Sequence, residues 1–316
     1  MDIIKKLSRS IREYKMVSIM TPVCIVFEVI FEILIPFMMA NMIDSGISAG
    51  DESALVKYGT LLILCVIAGL VFGILSGSLC ATASAGFAKN LRKDMYYKIQ
   101  EYSFANIDKF SSSSIVTRLT TDVTNVQNAY MMIIRIAVRA PFMLIFALIA
   151  AFMTSTKLSL IFLIAIPVLG IGLYIIVSRS HIYFERVFKI YDNLNEVVEE
   201  NLTGMRVVKS FVREDFEEKK FTRVSEAIYK MFLKAEGIVA YNMPLMQFCI
   251  YSCMLFLCWF GARMIITSGA TTLTTGELTS LIAYAMTILN CLMMLSMVMV
   301  MINMARASAE RIVEIL

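Results

Sequence analysis

The sequence is short of almost everything from which an active site is built. It has one histidine, His181, so neither an ordinary zinc site nor a Ser-His-Asp arrangement is supported. Its seven cysteines, at 24, 65, 80, 249, 253, 258 and 291, never form a C-x-x-C pair and all lie in apolar stretches. They read as small buried apolar residues in a reduced protein, not as a disulfide framework. No Gly-Lys dipeptide occurs, so the phosphate-cradling loop G-x-x-x-x-G-K-[ST] is missing. Charge is scarce at 17%, against about 25% in an ordinary soluble domain. There are five prolines and none between Pro167 and Pro244, which leaves a long central region without a helix breaker.

What the sequence has instead is apolar length. Hydrophobic residues make up 59% of the 316, and the mean hydropathy is +0.74. A soluble domain of this composition could not cover itself with polar groups, so a membrane protein is expected. A spanning helix takes about 20 apolar residues. No Asp, Glu, Lys or Arg falls between Lys57 and Lys89, Arg139 and Lys157, Lys157 and Arg179, Glu236 and Arg263, or Glu277 and Arg306. A sixth run, 16–43, is broken only by Glu28 and Glu32. Six spans are therefore expected near 16–43, 54–82, 136–156, 158–179, 240–266 and 278–305. The first is too long, and too acidic, for a cleaved signal peptide.

Lys and Arg set the expected orientation. The N-terminus carries Lys5, Lys6, Arg9, Arg12 and Lys15, the segments 83–135 and 180–236 are rich in both, and Arg306 and Arg311 follow the last span. The other side holds only Lys57, Lys157 and Arg263. Both termini and both long loops are thus placed in the cytoplasm, with the chain multi-pass in a cytoplasmic (plasma) membrane, by expectation a bacterial one. The net charge of +4 is this bias and calls for no nucleic-acid partner.

The two inner loops do not read as disordered. The segment 180–236 holds one glycine, Gly204, and apolar residues recur at helical spacing through Ile190, Leu194, Val197, Val198 and Leu202. The spans are expected to run on into the cytoplasm and return as paired helices, levers with tips near 108–114 and 210–217. Phe211 and Phe216 stand among charges at the second tip. Two readings are open: they dock on another protein, or they pack against the neighbouring lever helix.

Glu28 and Glu32 share one face of the first span, near mid-bilayer. A carboxylate there is costly and faces a cavity or a partner. It can contact a cationic lipophilic substrate or carry a proton; alternatively it is protonated, or paired with Arg135 or Arg139. Arg139 can also snorkel to headgroups. Gly69, Gly73 and Gly77 form a small-residue stripe suited to close helix packing.

The run EENLTGMRVVKSFVREDFEEKKF (199–221) resembles the second cytoplasmic loop of the transmembrane domain of ABC exporters. FSSSSIVTRLTTDVTNVQ (110–127) is similar to that family's first loop, with Ser114 and Thr117 where it often has Gly or Ser. ARASAERIVEIL (305–316) resembles the exit from the sixth helix, and IPFMMANMIDSGI (35–47) the outer end of the first. The resemblance spans essentially the whole chain. It implies an all-α fold: six membrane helices extended into the cytoplasm by two long helical loops, each ending in a coupling helix.

The resemblance also implies roles. Phe110, Ser111, Ser112 and Ser113 would form one coupling helix, and Phe211, Val212, Arg213, Glu214 and Asp215 the other. Each would lie in a groove of an ATP-binding domain, fused or in trans, which would hold ATP and Mg2+; this chain would bind no cofactor or metal and catalyse nothing itself. Residues 306–316 would begin the linker to that domain. A second transmembrane subunit, identical or related, would complete the pathway among membrane lipids. A hydrophobic or amphipathic substrate would then move outward by alternating access. The competing class is half of a gradient-driven transporter that uses Glu28 and Glu32, although no internal repeat between 1–156 and 157–316 supports it. An importer permease fits less well, since its glycine-bearing loop is missing.

Overall fold

The computed structural model describes residues 2–102, 110 and 112–316, apart from the side chains of Asp2, Ser112, Ser113, Phe188, Asn303 and Met304. Nearly all of it is helix. Helix α1 spans Asp2–Ser8, and a 3-10 stretch, Arg9–Tyr14, leads into α2, Lys15–Asn41. A π-helical turn, Met42–Ser48, follows, then α3, Glu52–Gln100. Helix α4, Ser112–Thr117, passes through a second π-helical turn, Arg118–Asp122, into α5, Val123–Thr154. Then come α6 (Thr156–Thr203), α7 (Met205–Ser210), α8 (Glu214–Val239), α9 (Asn242–Ser268) and α10 (Thr275–Ile315).

Among the described residues, six helical stretches are long and apolar enough to cross a membrane. Their length exceeds that need. At about 1.5 Å per residue a 49-residue helix such as α3 runs roughly 70 Å, against about 30 Å of hydrocarbon. Only helices keep every backbone N–H and C=O paired inside lipid, so apolar length becomes helix here, not sheet. Pro22 and Pro36 in α2, Pro141 in α5 and Pro167 in α6 sit inside these helices, where membrane helices tolerate them.

The chain forms two compact units, residues 1–166 with 250–316, and residues 167–249. Among the described residues the first holds, besides a small cluster of Cys80, Ala83 and Ile134, two larger cores. One joins α2 (Ile25, Val29, Ile33), α5 (Met143, Ala147), Phe162 of α6, Leu257 of α9 and Tyr284 and Ile288 of α10. The Tyr284 hydroxyl donates to the Ile33 carbonyl at 3.1 Å, which lets a phenol be fully buried. The other gathers Leu7 of α1, Phe87, Leu91 and Met95 of α3, Val123 and Val126 of α5, and Ala309, Ile312 and Ile315 of α10. The 3-10 stretch is fixed to α3 by Asp94, which accepts from Ser10 and pairs with Arg12, both at 2.7 Å. In the second unit, taken by itself, α6 and α8 pair through an edge-on Phe184–Phe232 contact and the Glu200–Lys220 ion pair.

The short connections are built from caps. Asp51 caps α3, and the Ser53 hydroxyl, with the Ala54 and Ser53 amides, holds its carboxyl below the usual range. Thr274 and Glu277 form a capping box at the start of α10. Asp44, from the first π-helical turn, adds to it: its carboxylate accepts from Thr274 Oγ1 at 2.5 Å and Gly276 N–H at 2.9 Å. A carboxylate at a helix N-terminus is favourable. The approach is close enough that a Cβ on Gly276 would collide with the Ala40 carbonyl and the Asp44 carboxylate. We predict that Gly276→Ala costs about 1–3 kcal/mol in thermal unfolding of detergent-solubilised protein. Gly59→Ala, where a Cβ meets open space, should cost nothing.

Candidate functional site

Among the described residues, three polar constellations bear on function. The first lies inside the membrane part of α2, α3 and α5. Arg139 of α5 meets both carboxylates expected from the sequence: its Nη1 donates to Glu28 Oε1 and its Nη2 to Glu32 Oε2, each at 2.5 Å. The i, i+4 spacing of the two glutamates makes one guanidinium sufficient, since both project from one face of α2. Ser76 of α3 donates to Glu28 Oε2 at 3.1 Å. Arg139 is thus turned to a pair and not to headgroups. The glycine stripe gives these groups room. A Cβ on Gly73 would touch the Glu28 carboxylate at 3.4 Å, one on Gly77 the Arg135 guanidinium at 3.8 Å, and one on Gly69 Phe31 Cβ at 3.8 Å. Gly73 and Gly77 therefore admit charged side chains between helices, beyond backbone approach alone. Exposure separates the members: 13% for the Glu28 side chain, 26% for Arg139 and 42% for Glu32.

The second constellation, which sequence reading alone did not single out, fastens the first long loop to the end of the chain. In the second π-helical turn Asp122 is 1% exposed and accepts from Arg311 Nε at 2.8 Å and Nη2 at 2.5 Å, a two-pronged pair. Arg118, four residues earlier, donates to the Arg311 carbonyl at 2.6 Å and pairs with Glu314 at 2.8 Å. Ser308 accepts from Asn125 and from Arg311, and Tyr102 donates to the Ile315 carbonyl. The Arg118 guanidinium also lies 4.8 Å from the ring centre of Phe110, which stacks on Tyr102. Phe110 is thus held from within the chain. Ser111 lies outside the described residues; Ser112 and Ser113 open α4 and are described through their backbone only. The available signal was Arg118 and Asp122 at i, i+4 in a stretch matching a family loop, with Arg311 in another.

The third is the tip of the 167–249 unit. A short helix occurs there, but at Met205–Ser210, not at 211–215. Phe211, Val212 and Arg213 form the turn that joins it to α8, and Glu214 and Asp215 open α8. The break follows from Val212, whose φ of +51° leaves the helical region. Lys209 donates to Glu214 across the turn at 3.0 Å. Phe211 is 72% exposed, Val212 80% and Phe216 60%, so the phenylalanines are not packed on the neighbouring helix.

Among the described residues no three His, Cys, Asp or Glu side chains are grouped to hold a metal ion.

The intramembrane pair has a testable consequence. Removing one partner of a buried ion pair leaves uncompensated charge, whereas removing all of it can be nearly neutral. Arg139→Ala should lower stability by on the order of 3 kcal/mol, less any relief from solvent at Glu32. The triple variant Arg139→Ala/Glu28→Gln/Glu32→Gln should recover most of that loss in the same thermal assay. A triple variant as unstable as the single one would show that the pair does not hold these helices.

Comparison with known proteins bears on the whole assembly of helices. An uncharacterized ABC transporter ATP-binding protein of Bacillus subtilis, YfiB, is 30% identical over 306 residues, covering 97% of this chain and 53% of that protein. An uncharacterized ABC transporter ATP-binding protein of Mycobacterium tuberculosis is 28% identical over 317 residues, covering 98% of this chain and 53% of its own length. An ATP-dependent lipid A-core flippase of Pseudoalteromonas translucida is 23% identical over 296 residues, 93% of this chain and 50% of the flippase. The chain spans about half the length of these curated relatives. The model of the ABC transporter transmembrane region matches residues 18–293, which include all six apolar helices in whole or part. The chain belongs to this family, the transmembrane region of ABC transporters.

Proposed function

We propose that the chain is the membrane half of an ATP-driven exporter. Two such halves would enclose a pathway for a hydrophobic or amphipathic substrate and alternate between inward and outward opening. ATP and Mg2+ would be bound by a nucleotide-binding domain, fused or separate. The orientation would follow the Lys and Arg bias, with the long loops and both termini in the cytoplasm. Membership in the family of ABC transporter transmembrane regions favours this reading over the gradient-driven alternative.

The observation that carries this reading is the tip at 205–216. Two phenylalanines and a valine stand exposed beside charges, on a turn closed by Lys209 and Glu214. Exposed aromatic anchors ringed by charge suit a firm docking contact. A groove of about 570 Å3 runs beside the tip, walled by Val197, Leu202, Met205, Val208 and Phe221 and edged by Glu217 and Glu218. In this reading it receives the ATPase domain, and the 110–122 segment makes the second contact. The Asp122–Arg311 pair supports a mechanical role for that segment, because a push on it is passed to the end of α10 without slack.

Glu32 is the member of the intramembrane pair exposed enough to meet a cationic amphipath. If it does, Glu32→Gln lowers transport of a cationic lipophilic dye; unchanged transport assigns the pair to helix packing alone.

The docking reading is tested in the protein reconstituted with its ATPase domains. Phe211→Ala and Glu214→Ala should each cut substrate-stimulated ATPase and transport, for Phe211 by roughly tenfold. Basal ATPase of the isolated domains and the melting temperature should stay unchanged. Full coupling in both variants would remove the tip from the ATPase interface.

A further inference from the structure

The end of the bundle where the connections are short carries few cations. At and next to the ends of the spans joined there, the basic residues are Lys57, Lys157 and Arg263. Two of these three border one groove of about 370 Å3, walled by Leu158, Ile161, Phe260 and Met264. Lys157 lies in the first turn of α6 and Arg263 in the last turns of α9. Both are exposed, and among the described residues neither has an ion-pair partner. The nearest carboxylate along the chain, Glu277, is committed to the Thr274 cap.

A membrane-boundary signal stands beside the groove. The single tryptophan, Trp259, is one helical turn before Arg263 and 69% exposed. Exposed Trp beside Lys and Arg at the end of an apolar helix marks a membrane–water boundary. Phe260, in the groove wall, stacks on Phe256 at 6.2 Å. Two uncompensated cations above an apolar slot match one kind of molecule, an anion with a hydrocarbon tail.

We infer that this groove binds an anionic phospholipid of the surrounding leaflet. Its phosphate lies between Lys157 and Arg263, and an acyl chain follows Leu158, Ile161 and Phe260. The inference needs only that the chain crosses a membrane; it holds for either direction of transport and either orientation.

Trp259 supplies the probe. The 316-residue chain is placed in phosphatidylcholine nanodiscs doped with brominated phosphatidylglycerol or, as the reference, brominated phosphatidylcholine, and Trp259 quenching is titrated. A cation near an anionic headgroup favours it by roughly fivefold, so with two cations phosphatidylglycerol should be preferred by roughly 25-fold. Lys157→Gln and Arg263→Gln should each reduce the preference severalfold while leaving the melting temperature unchanged. Lys57→Gln, a cation at the same end outside the groove, should leave the preference intact. Equal quenching by both lipids in the unsubstituted chain would overturn the inference. So would a Lys57→Gln effect as large as that of Lys157→Gln, which would mean diffuse surface charge. Loss of preference on adding inorganic phosphate, but not chloride of equal ionic strength, would show a free-anion site and overturn the lipid assignment.

Discussion

Inside hydrocarbon no water is available to satisfy a polar group, and the structure of this chain follows from that shortage. It makes each apolar run a helix. It also governs the side chains, because hydroxyls along the spans turn back on their own helices. Thr21 donates to the Val17 carbonyl, Thr60 to Val56, Ser76 to Gly73 and Thr287 to Ala283. Where a group cannot be served by its own helix, it must find another, and that need ties helices together. Tyr284 reaches the Ile33 carbonyl, and Arg139 reaches Glu28 and Glu32. Dispersion against lipid is no weaker than against another helix, so the apolar surfaces alone specify the arrangement poorly. The polar ties supply direction.

Much of this could be read from the sequence, because hydrophobic length and charge spacing are local properties. The six apolar helices, their long extensions and the family all follow from runs such as 58–88 and from loop motifs. The pairing of Arg139 with two carboxylates was one of several open readings, since spacing places Glu28 and Glu32 on one face but does not say what lies opposite. Asp122 and Arg311, 189 positions apart, could not be paired from pattern at all. The helix boundaries at the second tip rest on something else. The motif 199–221 marks where a tip occurs, but the break itself depends on Val212 entering the left-handed region. A valine gives no sign of that in sequence, where glycine or asparagine would be the usual signal.

The two long loops therefore end in different ways, and the difference bears on how a transporter of this design would work. In the first loop, among the described residues, Phe110 lies against Tyr102 and Arg118, and Asp122 against Arg311. The 205–216 tip, described within its own unit, keeps its apolar residues in solvent and spends its charges on closing the turn. An exposed aromatic tip is costly to leave in water and gains by being covered. A buried ion pair gains nothing further from a partner but resists relative movement of the segments it joins. In the proposed exporter the first loop and the end of α10 would then move as one body, so that force from an ATPase domain at either would reach the same helices. The second tip would be the adaptable contact, its geometry completed only by the domain it meets.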